Sequence, residues 1–176
     1  MKPRLTLVIL MVIAAAASRL IPHPPNMTSV TAIALFGGAT LADRRLAFLV
    51  PLAALFLSDL VLGFHDQMAV VYGCFVAVTG IGLWLQSRRS PLFIAGAALA
   101  SSVLFFAVTN FGVWAMDAMY PRTLQGLIAC YTAAIPFFRN TLEGDLLYTL
   151  VLFGGFALLE RRYPALRSEA ALPAAA

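Results

Sequence analysis

Apolar runs alternate with short polar breaks along the whole chain. The first run extends from about Leu5 to Ala17, behind Lys2 and Arg4. It stops at Pro22-His23-Pro24-Pro25-Asn26, where three prolines remove donors, fix φ and restrict the residues before them. Thr28-Ser29 offers helix-start chemistry. A second run then ends near Leu41, which is short for a span of about 20 residues. Its ends are therefore expected to meet protein rather than lipid. Asp43-Arg44-Arg45 separates it from a third run, Leu46–Gly63. His65-Asp66-Gln67 is a tight connection to a fourth, Met68–Leu85, closed by Gln86-Ser87-Arg88-Arg89-Ser90. The fifth runs from Pro91 to about Trp114 and is interrupted by Thr109-Asn110. Residues 115–141 are mixed, and Pro136 with Arg139-Asn140 reads as a long outer loop with a partly inserted helix. The sixth run starts near Glu143-Asp145, reaches Leu159 and stops at Glu160-Arg161-Arg162-Tyr163-Pro164.

This pattern predicts an all-α membrane protein with six transmembrane helices in a single domain, residues 1–167. The Ala/Pro-rich residues 168–176 read as a disordered tail. The start of the chain also fits a signal peptide, with a basic opening, a short apolar core and Ala15-Ala16-Ala17 as a cleavage site. The alternative is a spanning helix carried on through Ser18-Arg19-Leu20-Ile21, with Arg19 snorkelling to the interface.

Composition agrees with the pattern: 61% of the 176 residues are hydrophobic and 11% charged, against about 45–50% and about 25% in soluble domains. The net charge of +4 carries no basic face with interleaved aromatics, so nucleic acid is not an expected partner. Topology explains the charge better. With the N-terminus in the cytoplasm and six crossings, Lys2, Arg4, Arg44, Arg45, Arg88, Arg89, Arg161, Arg162 and Arg167 fall inside, and Arg19, Arg122 and Arg139 fall outside. Nine basic residues against three is the positive-inside bias, and it predicts both termini in the cytoplasm.

The same sorting places His23, Asn26, Asp59, His65, Asp66, Asn110, Asp117, Arg122, Arg139, Asn140, Glu143 and Asp145 at the outer side. Asp59, Asn110 and Cys74 lie inside apolar runs, where polar groups usually face a cavity or pathway. Cys74 lies six residues past Met68, or about 9 Å down a helix. Its thiol is either a small core hydrophobe or a soft ligand for a transition metal. Gly73 beside it leaves room for a bulky group. His23 and His65, the two histidines, are on the same side but match no zinc spacing. A Cys74–Cys130 disulfide is the competing use of the thiol.

Leu20-Ile21-Pro22-His23-Pro24-Pro25-Asn26, Ala34-Leu35-Phe36-Gly37-Gly38-Ala39, Leu57-Ser58-Asp59-Leu60-Val61-Leu62-Gly63-Phe64-His65, Val108-Thr109-Asn110-Phe111-Gly112-Val113-Trp114 and Ile135-Pro136-Phe137-Phe138-Arg139-Asn140-Thr141-Leu142 together resemble the substrate-binding S-components of energy-coupling-factor vitamin transporters. The resemblance covers about residues 18–160. The cysteine after Tyr72-Gly73 is similar to that of the BtuM group, the solitary vitamin B12 S-components of Gram-negative bacteria. The resemblance implies a six-helix S-component fold in the bacterial inner membrane, with cobalamin as the partner and its cobalt, arriving within the substrate, bound by Cys74. It implies no fixed cofactor. It also implies removal of cyanide from cyanocobalamin, which makes Cys74 the candidate catalytic residue. His23 or His65 is a second cobalt ligand on chemical grounds only. Asp59, His65, Asp66, Tyr72, Asn110 and Arg139 are the candidate contacts to the corrin amides, with His23 beside them. The Ala-x-x-x-Ala motif for docking a coupling module appears only as Ala14 to Ser18, so an energy-coupling module is a weak candidate partner. Rival readings are an S-component for another small vitamin or nucleobase, a membrane metal or redox protein using Cys74 with His23 and His65, and a structural subunit.

Overall fold

A computed structural model of the chain describes residues 3–167. The expected tail at 168–176 and Lys2 of the charge count lie outside the described residues. Among the described residues all regular structure is helical. The helices are α1 (Pro3–Ala17), α2 (Val30–Thr40), α3 (Arg44–Leu62), α4 (Met68–Leu85), α5 (Pro91–Met116), α6 (Leu124–Thr149) and α7 (Gly155–Arg162). A 3-10 turn, Ser18–Leu20, extends α1, and a π turn, Leu150–Gly154, joins α6 to α7 without a break. Five stretches are long and apolar enough to cross a membrane: Pro3–Leu20, α3, α4, α5 and the continuous Leu124–Arg162. This is the pattern of a multi-pass membrane protein.

The sixth element, α2, has 11 residues, and all of them are buried. At about 1.5 Å per residue it reaches about half-way across a bilayer. Its surroundings are protein, as its shortness predicts. It packs chiefly against α4 and also against α1, α3, α5 and α6. Small residues allow that approach. A Cβ on Gly38 would lie 2.9 Å from Cα of Gly82 and closer still to the Thr79 carbonyl. Gly37 makes room in the same way for the Pro51 ring of α3. Phe36 stands edge-on to Phe153 and Phe156, with centroids 5.2 and 5.6 Å away.

Burying both ends of α2 raises the question of its unpaired backbone groups. Gln86 at the end of α4 answers it at one end, donating from Nε2 to the carbonyls of Gly38 (3.0 Å) and Leu41 (2.8 Å). At the other end α2 does begin after Thr28-Ser29. The Ser29 hydroxyl donates to the Ala15 carbonyl of α1 at 2.6 Å instead of capping its own helix. Conventional caps appear elsewhere: Asp43 on α3, Ser90 on α5 and Thr123 on α6. Gly63, with φ at +97°, ends α3.

Two expectations need correction. Residues 124–141 are helix, so the sixth span begins at Leu124 and not near Glu143. Pro136 sits inside α6 without ending it. Membrane helices tolerate such a proline where neighbouring groups meet the freed backbone. Arg19 does not snorkel outwards. It turns into the bundle, as described below. The first helix is also integral to the core, with Val8 and Val12 fully buried.

The α2–α4 contact predicts opposite outcomes at two glycines of one helix. Gly82→Leu should destabilise the bundle by about 1–3 kcal/mol through overpacking. Gly80→Leu, where a Cβ meets nothing within 4 Å, should stay within about 0.5 kcal/mol of the parent. Thermal unfolding in detergent measures both.

Candidate functional site

Three helix ends meet around one buried carboxylate. Asp59, one turn before the end of α3, is 2% exposed. Arg19, carried inward by the 3-10 turn after α1, donates from Nη1 to Asp59 Oδ1 at 2.8 Å. The same Nη1 meets the Ser58 hydroxyl. Tyr72, in the second turn of α4, donates its hydroxyl to Asp59 Oδ2 at 2.9 Å. Both carboxylate oxygens are thus used, and the charges cancel within the pair. A desolvated ion pair of this kind holds together only with such added hydrogen bonds. Arg19 Nε has no partner among the described residues. A groove of about 140 Å³ between α1 and α3, lined by Ala16, Ala17, Leu20, Ala54, Leu57 and Ser58 among others, lies alongside.

Further polar contacts lock the loops at this end of the bundle. Gln67, before α4, donates to Asp117 Oδ1 at 2.9 Å, joining the α3–α4 and α5–α6 connections. Asn140 of α6 donates to the Pro25 carbonyl at 2.9 Å and holds the proline loop. Trp114 Nε1 donates to the Pro121 carbonyl at 3.1 Å. A polar cavity of about 70 Å³ lies between α5, α6 and the proline loop, with Asn26, Thr109, Asn110 and Thr141 on its wall.

The residues singled out from sequence divide accordingly. Asp59 and Tyr72 come together. Asn110 lines the small cavity, donates its amide to Phe106 O of its own helix, and accepts at its backbone carbonyl from Cys130 Sγ at 3.4 Å. His23 is exposed and bonds through Nδ1 with the neighbouring Pro24 carbonyl, 2.9 Å away. His65 and Asp66 are exposed in the α3–α4 loop. Arg139 is exposed and pairs with Glu143 one turn on, at 2.9 Å. Cys74 is 2% exposed, on the inward stripe of α4 with Phe75, Val78, Thr79 and Gly82. It lies 11 residues before Leu85, so about 16 Å from the Arg-rich end of α4. Both cysteines are free thiols, so no disulfide joins them. Among the described residues no three His, Cys, Asp or Glu side chains converge as a metal site.

A scan of protein families matches residues 1–166 to one described as a family of unknown function, DUF6580. The chain belongs to that family. No curated protein matches it, and no solved structure matches it.

Sequence reasoning missed two features. The Arg19–Asp59 pair spans 40 positions, and no local pattern announces it. The second is a carboxylate deep in α6, Asp145, also 2% exposed. The sequence pattern puts it at the outer end of the sixth span, whereas α6 begins 21 residues earlier, at Leu124. The available signal was its i+4 spacing to Thr149 within an apolar run.

The ion pair gives a direct test. Asp59→Asn leaves the Arg19 charge desolvated without compensation and should cost about 3–5 kcal/mol. Tyr72→Phe removes one hydrogen bond to a charged group and should cost about 1.5–3 kcal/mol. Equilibrium unfolding of the two single variants and the double variant in detergent should give strongly non-additive losses, because both changes act on one carboxylate.

Proposed function

We propose that this DUF6580 member is a cobalamin-binding uptake protein of the bacterial inner membrane. In this reading it is a six-helix bundle of the energy-coupling-factor S-component type, with both termini cytoplasmic. The bias of nine basic residues against three supports that orientation. The observation that carries the ligand is Cys74. It is a free thiol held about two turns inside a spanning helix. A thiolate is a soft ligand and suits a transition metal.

The chemistry follows from ligand exchange. The Cys74 thiolate donates an electron pair to Co(III) of cyanocobalamin, and cyanide departs with the pair that bound it. No electron changes hands, and the released cyanide takes up a proton in water. The cavities of about 70 and 140 Å³ at this end are below the about 300–1,000 Å³ of an ordinary ligand pocket. Loading therefore parts the outer loops, and the Gln67–Asp117 bond is the latch that opens. His23, His65, Asp66 and Arg139, exposed on those loops and on α6, then have the freedom to meet the corrin amides. Asp59 and Tyr72 set the rear wall. An energising module is left with a weak docking surface at Ala14 to Ser18.

The burial of Cys74 favours one competing reading, an S-component for a smaller vitamin or nucleobase in which the thiol is packing. Cobalt separates the two. Protein purified from cells supplied with cobalamin should be coloured and carry about one cobalt per chain by elemental analysis. Cys74→Ala should abolish the thiolate-dependent absorption change and the decyanation. Colourless, cobalt-free parent protein, or an unchanged spectrum in Cys74→Ala, would refute the cobalamin reading.

A further inference from the structure

Asp145 differs from Asp59 in having no basic partner among the described residues. Its two oxygens meet hydroxyls instead. Ser102 of α5 donates to Oδ2 at 2.6 Å, and Thr31 of α2 meets Oδ1. The site lies where α2, α5 and α6 pack together, with Ser102 about 16 Å from the start of α5. It is therefore well inside the bundle, and all three residues are buried. The other charged groups of the described residues on these helices, Arg139 and Glu143, pair with each other on the exposed face of α6.

Two more buried oxygens, on α5 and α6, have no partner. Ser101 Oγ and Thr149 Oγ1 have no hydrogen-bond partner among the described residues, at 0% and 6% exposure. Ser101 adjoins Ser102 on the buried stripe of α5. Thr149 is one turn beyond Asp145 on the buried stripe of α6, and residues at that spacing are neighbours on a helix. Buried polar atoms without partners are rare and call for an occupant or a role. The π turn Leu150–Gly154 starts at the next residue, and such turns collect at functional sites.

We propose that Asp145, Thr31, Ser102, Ser101 and Thr149 form a sodium-ion site between α2, α5 and α6. The donor set is all oxygen, which suits a hard cation. It holds a single carboxylate, so a monovalent ion leaves the site neutral and a divalent one leaves a bare positive charge in a low-dielectric interior. Protonation of Asp145 would also neutralise the site, but it would leave Ser101 and Thr149 unpartnered. A cation gives both a ligand role. Coupling of this ion to solute movement rests on the uptake function proposed above; the ion site itself does not.

The test uses the full-length protein in detergent with no cobalamin present, so its result is independent of the ligand reading. Radioactive sodium binding should saturate near one ion per chain. Sodium chloride should raise the unfolding temperature over equal choline chloride or potassium chloride. Asp145→Asn should abolish both effects. Ser101→Ala and Thr149→Val, which remove the orphan hydroxyls and should fold whatever becomes of Asp145→Asn, should each weaken sodium binding about tenfold. No saturable sodium binding by the parent protein would overturn the proposal, as would binding that Ser101→Ala and Thr149→Val leave unchanged. Stability that follows pH but not sodium would also overturn it and identify Asp145 as a protonated acid.

Discussion

A helix too short to cross the membrane has to be enclosed by protein, and in this chain α2 imposes that condition on every other element. Its 11 residues are all buried, so neither lipid nor water can satisfy its ends. The backbone contact between Gly38 and Gly82 fixes its distance to α4. Gln86 supplies donors at its C-terminal end, and Ser29 ties its start to α1. The 3-10 turn Ser18–Leu20 precedes the exposed proline loop, and Arg19 within it reaches Asp59. The ion pair with Asp59 and the hydroxyls around Asp145 are both consequences of where α2 begins.

The apolar runs, their polar breaks and the shortness of the second run were legible because hydrophobic length and arginine breaks are local properties. The burial of α2 was legible for the same reason. The continuity of α6 was not. Pro136 and Arg139-Asn140 read as loop, and Glu143-Asp145 as the start of the span, because each is unfavourable in lipid. In the bundle Asn140 reaches the Pro25 carbonyl, Asp145 meets Ser102 and Thr31, and Arg139 and Glu143 neutralise one another. Polar residues on a spanning helix resemble a break until their tertiary partners are known.

The candidate site was legible in kind more than in assembly. Asp59 and Tyr72 drew attention as polar groups within or beside apolar runs, and they share a hydrogen bond. The third member, Arg19, carried a plausible local explanation at a helix end, which hid its long-range partner. Cys74 was singled out by type, but a sequence cannot show which side of a helix a sulfur occupies. The structure places it on the buried, inward stripe of α4.

Asp59 and Asp145 are equally buried, at 2% exposure each, yet the chain treats them differently. Asp59 receives a fixed cation from α1 and a hydroxyl from α4, and the result is a closed joint between three helices. Asp145 receives hydroxyls only, with two more left over nearby. Were both carboxylates there for cohesion, the second would be a poor design, since neutral donors offset little of the cost of an isolated buried charge. The difference makes sense if the first charge is cancelled permanently and the second is cancelled by something that comes and goes. A bundle with a static joint at Asp59 and the proposed exchangeable charge at Asp145 has the elements that a moving gate requires. One side holds the helices in register, and the other changes its electrostatic energy with occupancy.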